Sequence, residues 1–326
     1  MPPDFKRTQA GSVSALQRLQ ILWKVAKYFW LFTSSDFITW VVPSTVFGVS
    51  CAIAGPPMVS GDHITTQEIL RRIPAIALFN LSNLLIFDLA NQRMWESLLE
   101  DKLNKPWRPI PQGLMTRTEV RLAIQLLIPA VLATNHWLLN VGAETACLLT
   151  ATWVYNDLKA CDDGWIQGNL MASLGAWIYN QASLKVAIGG GSLSTAGITR
   201  TGDIWVLVTS GVIMTTMHVQ DLKDVVGDKS RGRGTSPLVL GERVTRWTLA
   251  VPVLLWSPIC ALVLSAWVAA IPAMVLGTYV AFRCVLRNGK EEDKWTWQVW
   301  CGWTAVLYFI PLMNFQQLCF FSREIV

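Results

Sequence analysis

Long apolar runs alternate with short charged ones along the whole chain. Nine runs reach, or nearly reach, the length of a helix that crosses a bilayer. They cover residues 28–54, 73–90, 120–134, 137–155, 166–184, 204–219, 247–267, 268–286 and 295–315. No charged loop separates the seventh from the eighth. The pattern predicts an all-α fold, a polytopic integral membrane protein with nine transmembrane helices. Residues 1–27 are basic and amphipathic and lack a cleavable apolar core. They are expected to form a cytosolic N-terminal segment ahead of a membrane domain at 28–326, with no signal peptide.

Charge supports the count. If the N-terminus is cytosolic, the loops after the second, fourth, sixth and eighth runs are cytosolic too. These hold most of the Lys and Arg, from Arg93 and Lys102 to Arg287 and Lys294. The opposite loops keep Arg71, Arg72, Lys185 and Arg200. Adding or losing a helix in the middle would destroy this positive-inside partition.

Composition removes other classes. Of 326 residues, 52% are hydrophobic and only 15% charged, where soluble domains carry about 25% charged. The net charge of +5 is too small to argue for a nucleic-acid partner. The seven cysteines are scattered, without Cys-x-x-Cys, so neither a disulfide framework nor a zinc site is signalled. No obligate protein partner is evident, and the lipid bilayer is the expected surrounding.

Two loops share one layout, acidic first, then basic, then rich in Gly and Pro. One is 91–113, NQRMWESLLEDKLNKPWRPIPQG; the other is 221–241, DLKDVVGDKSRGRGTSPLVLG. Four runs separate them, which hints at an internal duplication with both loops over one cavity. Asp221, Asp224 and Asp228 fall at i, i+3 and i+7, on one helical face. Three carboxylates together repel unless a cation lies between them. Mg²⁺ suits such oxygen ligands, usually with substrate phosphates completing the shell. Lys229, Arg231 and Arg233 follow, among Gly227, Gly232 and Gly234, so metal plus basic loop reads as a diphosphate site. The first loop repeats the ingredients more loosely, with Asn91, Gln92, Glu96, Glu100 and Asp101, then Lys105 and Arg108.

These residues resemble a family. Asp221-x-x-Asp224-x-x-x-Asp228 followed by Gly234-Thr235 is similar to the second Asp-rich motif of the UbiA superfamily of membrane prenyltransferases. Residues 101–106 and Arg108-Pro109-Ile110-Pro111-x-Gly113 resemble the tail of the first motif, and Tyr155-x-x-x-Lys159 the Tyr/Lys motif. The head of the first motif departs from Asn-Asp-x-x-Asp-x-x-x-Asp. With Asn91 on the Asn, Gln92, Trp95 and Leu99 replace the aspartates; counted from Asp101, Ser97 takes the second position. That rearrangement looks like the fungal UbiA-type terpene cyclases.

The resemblance implies nine helices around a central cavity, cytosolic cap loops and Mg²⁺-dependent cleavage of a prenyl diphosphate. Its metal ligands would come from Asn91, Glu96, Glu100, Asp101, Asp221, Asp224 and Asp228; which of Glu96, Glu100 and Asp101 serve stays open. Lys105, Arg108, Lys159, Lys229, Arg231 and Arg233 would bind the diphosphate, and Tyr155 and Lys159 would act at the reacting end. The expected activity is a terpene cyclase that ionises geranylgeranyl or farnesyl diphosphate and closes the carbocation to a hydrocarbon, in the endoplasmic reticulum membrane. The released diphosphate is available as a base for the last proton. The alternative is a prenyltransferase acting on an aromatic or quinone-precursor acceptor. Polar groups within the runs, Asp36, Asn80, Asn83, Asp88, Gln125, Glu144, Asn180 and Gln181, read as helix–helix hydrogen bonders. His218 reads as a helix-end residue, and Trp40, Trp153, Trp177 and Trp205 as candidates for the cavity wall.

Overall fold

The computed structural model describes residues 14–61, 64–189 and 196–324. A helix lies under each of the nine apolar runs. These are α1 (Ala15–Ala54), α3 (Ile73–Gln92), α5 (Arg117–Trp137), α6 (Gly142–Asn156), α7 (Trp165–Ala187), α8 (Arg200–Thr216), α11 (Glu242–Leu264), α12 (Ile271–Leu286) and α13 (Lys290–Glu324). Shorter helices connect them: α2 (Thr66–Arg71), α4 (Trp95–Asn104), α9 (Asp221–Arg231) and α10 (Ser236–Leu240). A two-residue antiparallel ribbon pairs β1 (Val59–Ser60) with β2 (Gly197–Ile198).

By length and composition, four helical stretches among the described residues qualify to cross a membrane: Leu16–Ala54, Thr66–Gln92, Arg200–Arg231 and Glu242–Leu264. Two of the others are short. α6 has 15 residues and α12 has 16, short of the roughly 20 that a hydrocarbon core asks for. α6 is shortened because Trp137 completes α5 and Asn140 turns the chain with φ 56°. The seventh and eighth runs are divided without any charge. Ser265 closes α11 in a left-handed conformation, and Pro272 opens α12 in its first turn, where a missing N–H is harmless.

The start of α1 also differs from a separate N-terminal segment. Ser14 accepts from the Gln17 N–H and the Gln17 side chain accepts from the Ser14 N–H, a capping box. From there one helix continues across residue 27 to Ala54. Residues 1–13 lie outside the described part.

α1 packs against α3, α7 and α13, while α7 packs on α8 and α11 on α12. At one end α4 lies on α9, and α10 adjoins both α9 and α11. This small layer caps the bundle; the β1–β2 ribbon closes the opposite end.

Candidate active site

The cap is built on a close approach. α9 carries Asp221, Asp224 and Asp228 on the face that the i, i+3, i+7 spacing predicts. α4 crosses it where Gly227 leaves room: a Cβ there would lie 2.1 Å from Asn104 Nδ2. That amide is buried and donates to the Asp224 carbonyl oxygen at 2.9 Å. Gly227→Ala therefore forces the two cap helices apart. It should destabilise the protein by about 1–3 kcal/mol and lower turnover, measured by thermal unfolding and product formation. Unchanged values would contradict the packing described.

Beneath the cap lies one cavity with about 1260 Å³ of space between its walls, open mouth included. Its capped end is polar, lined by Asn91, Glu100, Lys105, Asp221, Asp224 and Asp228, with Arg231 and Arg233 beside them. Its far end is apolar and aromatic, with Trp40, Leu84, Leu148, Met171 and Tyr179. The Trp40 and Tyr179 rings lie 5.7 Å apart, and Phe87 lies 5.3 Å from Tyr155.

The two arginines after the acidic face bind the cap together. Arg231 donates to Ser97 Oγ at 2.8 Å and Glu100 Oε2 at 3.1 Å on α4, and to Asp162 Oδ1 at 2.9 Å in the loop after α6. Arg233 stands 3.5 Å from Asp228 Oδ1, 3.8 Å from Glu100 Oε1 and 3.5 Å from the Tyr155 hydroxyl. Asp221 accepts from the Ser236 N–H and hydroxyl. Asp224 pairs with Lys223. Asp228 is 1% exposed, yet neither carboxylate oxygen has a hydrogen-bond partner.

That unfilled pair is the feature that fits a metal. Leaving two buried acceptors without a hydrogen bond is costly, and the side chains of the same mouth that could join them as ligands, Asn91, Glu100, Asp221 and Asp224, offer oxygens, as a hard divalent cation requires. Among the described residues no three His, Cys, Asp or Glu side chains enclose an ion alone. The arrangement matches the Mg²⁺ habit of taking one or two carboxylates and completing its shell with substrate phosphates and water.

Four of the sequence-predicted residues lie away from the cavity lining. Glu96 and Lys159 pair with each other at 2.8 Å, both well solvated. α6 ends at Asn156 and Lys159 sits at φ 61° in the following turn, so it does not continue the face of Tyr155. The Lys159 hydrogen bond holds the Glu96 carboxyl below its ordinary value. Lys229 is exposed. Asp101 is buried against Arg108, at 2.9 and 3.1 Å; burial pushes its carboxyl above the ordinary value while Arg108 pulls the other way. Arg108 lines the cavity but is itself buried, held by Asp101 and by Asp36 at 3.0 Å.

No local signal in the chain marks Asp162 or Ser236, which act only through partners distant in the chain. Asp36 and Asp88 are visible as acids within apolar runs, and the structure places both in the cavity wall. Of the four candidate tryptophans, Trp40 lines the cavity; Trp165, not singled out, lines it too. Trp205 is buried elsewhere, and Trp153 and Trp177 are exposed. His218 is a buried helix-end residue bonded to Asn169 and Thr248.

The pattern of the UbiA prenyltransferase family matches residues 41–307. The chain is 29% identical over 296 residues to the somaliensene A/B synthase of Streptomyces somaliensis, covering 86% of this chain and 91% of that one. It is 28% identical over 298 residues to the fumagillin beta-trans-bergamotene synthase of Aspergillus fumigatus, covering 88% and 92%. Among solved structures, a UbiA homolog from Archaeoglobus fulgidus bound to DMAPP and Mg²⁺ superposes with a TM-score of 0.59. It covers 87% of this chain and 98% of that one at 12% identity, a likeness of fold alone.

Proposed function

The chain belongs to the UbiA prenyltransferase family and is an integral membrane protein, and from that premise we propose that it is a Mg²⁺-dependent terpene cyclase. Its substrate is geranylgeranyl or farnesyl diphosphate, and its product a cyclic hydrocarbon plus diphosphate. The observation that carries the proposal is one cavity with an acidic and basic mouth, a buried carboxylate without a hydrogen-bond partner, and an aromatic, apolar far end. The somaliensene and bergamotene synthases among the relatives support the same choice.

Asp228, with Asp221, Asp224, Glu100 and Asn91 around it, would hold Mg²⁺, which supplies Lewis acidity toward the diphosphate oxygens when bound. Lys105 faces the same space and neutralises leaving-group charge, which grows most as the allylic C–O bond breaks. Arg233 reaches both Asp228 and Glu100 and is available to turn to the diphosphate. Arg231, committed to Ser97, Glu100 and Asp162, keeps the cap assembled. Glu96, Asp101, Lys159 and Lys229 are left out of the metal and diphosphate set. The far end shapes the chain, excludes water that would quench the cation to an alcohol, and offers the ring faces of Trp40 and Tyr179 to positive charge.

Chelation gives the test. Purified protein should release diphosphate from a prenyl diphosphate in Mg²⁺, stop in EDTA and recover when Mg²⁺ is restored. Release that is indifferent to EDTA would overturn the metal-dependent reading. Transfer to an aromatic or quinone-precursor acceptor, the reaction in the family's name, would use the same ionisation and stays the second reading.

All nine bundle helices would cross the membrane, that of the endoplasmic reticulum, with residues 1–27, α4 and α9 on the cytosolic side and 28–326 as the membrane domain. Single cysteines at Lys102 and Lys229, both exposed on the cap, should be labelled from one side of sealed vesicles. One at Gln67, exposed at the opposite end, should be labelled from the other, in a background where the exposed Cys147 is Ser. Labelling of the two cap positions from opposite sides would end the shared-mouth mechanism.

A further inference from the structure

Two carboxylates in the cavity wall have no part in holding the diphosphate. Asp36 lies on α1 one turn before Trp40, and Asp88 lies on α3 one turn after Leu84; all four line the cavity. At about 1.5 Å per residue, Asp88 is about 4.5 Å deeper than Asn91 and about 6 Å nearer the cap than Leu84. The pair therefore marks the border between the polar mouth and the apolar chamber.

The pair shares one guanidinium with a third acid. Arg108 bonds Asp101 and Asp36 closely and stands 3.9 Å from Asp88 Oδ1. Asp88 is 1% exposed and its Oδ2 has no hydrogen-bond partner. Asp36, Asp88 and Asp101 thus converge on one guanidinium, and Asp88 is the one held least closely. An acid placed within an apolar helix, facing a cavity and left unsatisfied, marks function rather than packing.

We propose that the Asp36–Asp88 pair is the base that takes the proton ending the cyclisation. The proposal rests on the cyclase reading. Ionisation breaks the allylic C–O bond, and its electron pair leaves with the diphosphate. After ring closure the C–H bond beside the cationic carbon breaks, and its electrons become the new alkene π bond. The proton passes to a carboxylate oxygen of the pair, and on to water when the product leaves. Arg108 positions the pair. The diphosphate, held nearer the cap, is farther from a cation folded against Trp40 and Leu84.

The test compares the full-length wild type with Asp88→Asn, Asp36→Asn and Asp88→Glu, measuring diphosphate release and products from the same reactions. In the Asn variants the yield of the wild-type hydrocarbon per diphosphate released should fall by about 10²-fold, in keeping with loss of a positioned base, with alcohols or isomeric alkenes taking its place. Asp88→Glu keeps the charge facing Arg108 and should restore hydrocarbon formation with the double bond moved. If Asp88→Asn does not fold, Asp88→Glu alone decides, since a wild-type product pattern from it contradicts the proposal. Wild-type proportions in the Asn variants would leave the diphosphate as the base. An equal fall in release and product, with proportions unchanged, would make the pair a support for Arg108 only. A wild type that releases diphosphate but forms no hydrocarbon defeats the cyclase reading, and this proposal with it.

Discussion

Asp228→Asn should slow diphosphate release by at least about 10²-fold, because it removes a charged ligand where leaving-group charge is stabilised. The substitution keeps the shape of the side chain and removes one negative charge. Asp228 has no hydrogen bond to lose, and Arg233 retains Glu100 nearby, so the fold should survive. Measured against Mg²⁺ concentration, the variant should also need more of the ion to reach its own plateau. Asp221→Ala and Asp224→Ala should fall by a similar factor. Near-normal turnover in a folded Asp228→Asn protein would remove the metal from the mechanism.

Arg108→Met should be the most damaging single change to stability, by about 3–5 kcal/mol, because it strips the partner from buried carboxylates. The Arg108 side chain is 3% exposed and that of Asp101 2%. Asp36 and Asp88 converge on the same guanidinium from two other helices. Methionine fills similar volume but leaves the acids uncompensated. Thermal unfolding in detergent should show the loss, and adding Asp101→Asn should recover part of it. A melting temperature equal to that of the wild type would show that the guanidinium does not hold these helices together.

What could be read from the chain depended on how local the signal was. The acidic face of α9 was legible because three carboxylates at i, i+3 and i+7 need only the helix to bring them together. The apolar runs located the helices for the same reason. Helix lengths were less legible: the split between α5 and α6 depends on a single turn at Asn140, and that between α11 and α12 on Ser265. The first loop was harder still. Glu96 and Glu100 share a face by spacing, yet Glu100 lies under the cap against Arg231 while Glu96, one turn earlier, reaches out to Lys159. Pro106 and Pro109 fold the chain back so that Arg108 returns to Asp101, a contact that charge counting reads as two independent ligands. Asp162, Asp36 and Asp88 gain their meaning from partners 69, 72 and 20 positions away. Periodicity carries no record of such pairs.

A terpene cyclase needs no acceptor. The direct measurement is mass spectrometry of the organic extract after purified protein is incubated with Mg²⁺ and a single prenyl diphosphate. Parallel incubations should offer farnesyl and geranylgeranyl diphosphate, each with and without an aromatic acid. A cyclic hydrocarbon should form from one of the diphosphates alone, unchanged by the acid. No hydrocarbon from either, together with a prenylated aromatic product when the acid is present, would contradict it and make the protein a transferase.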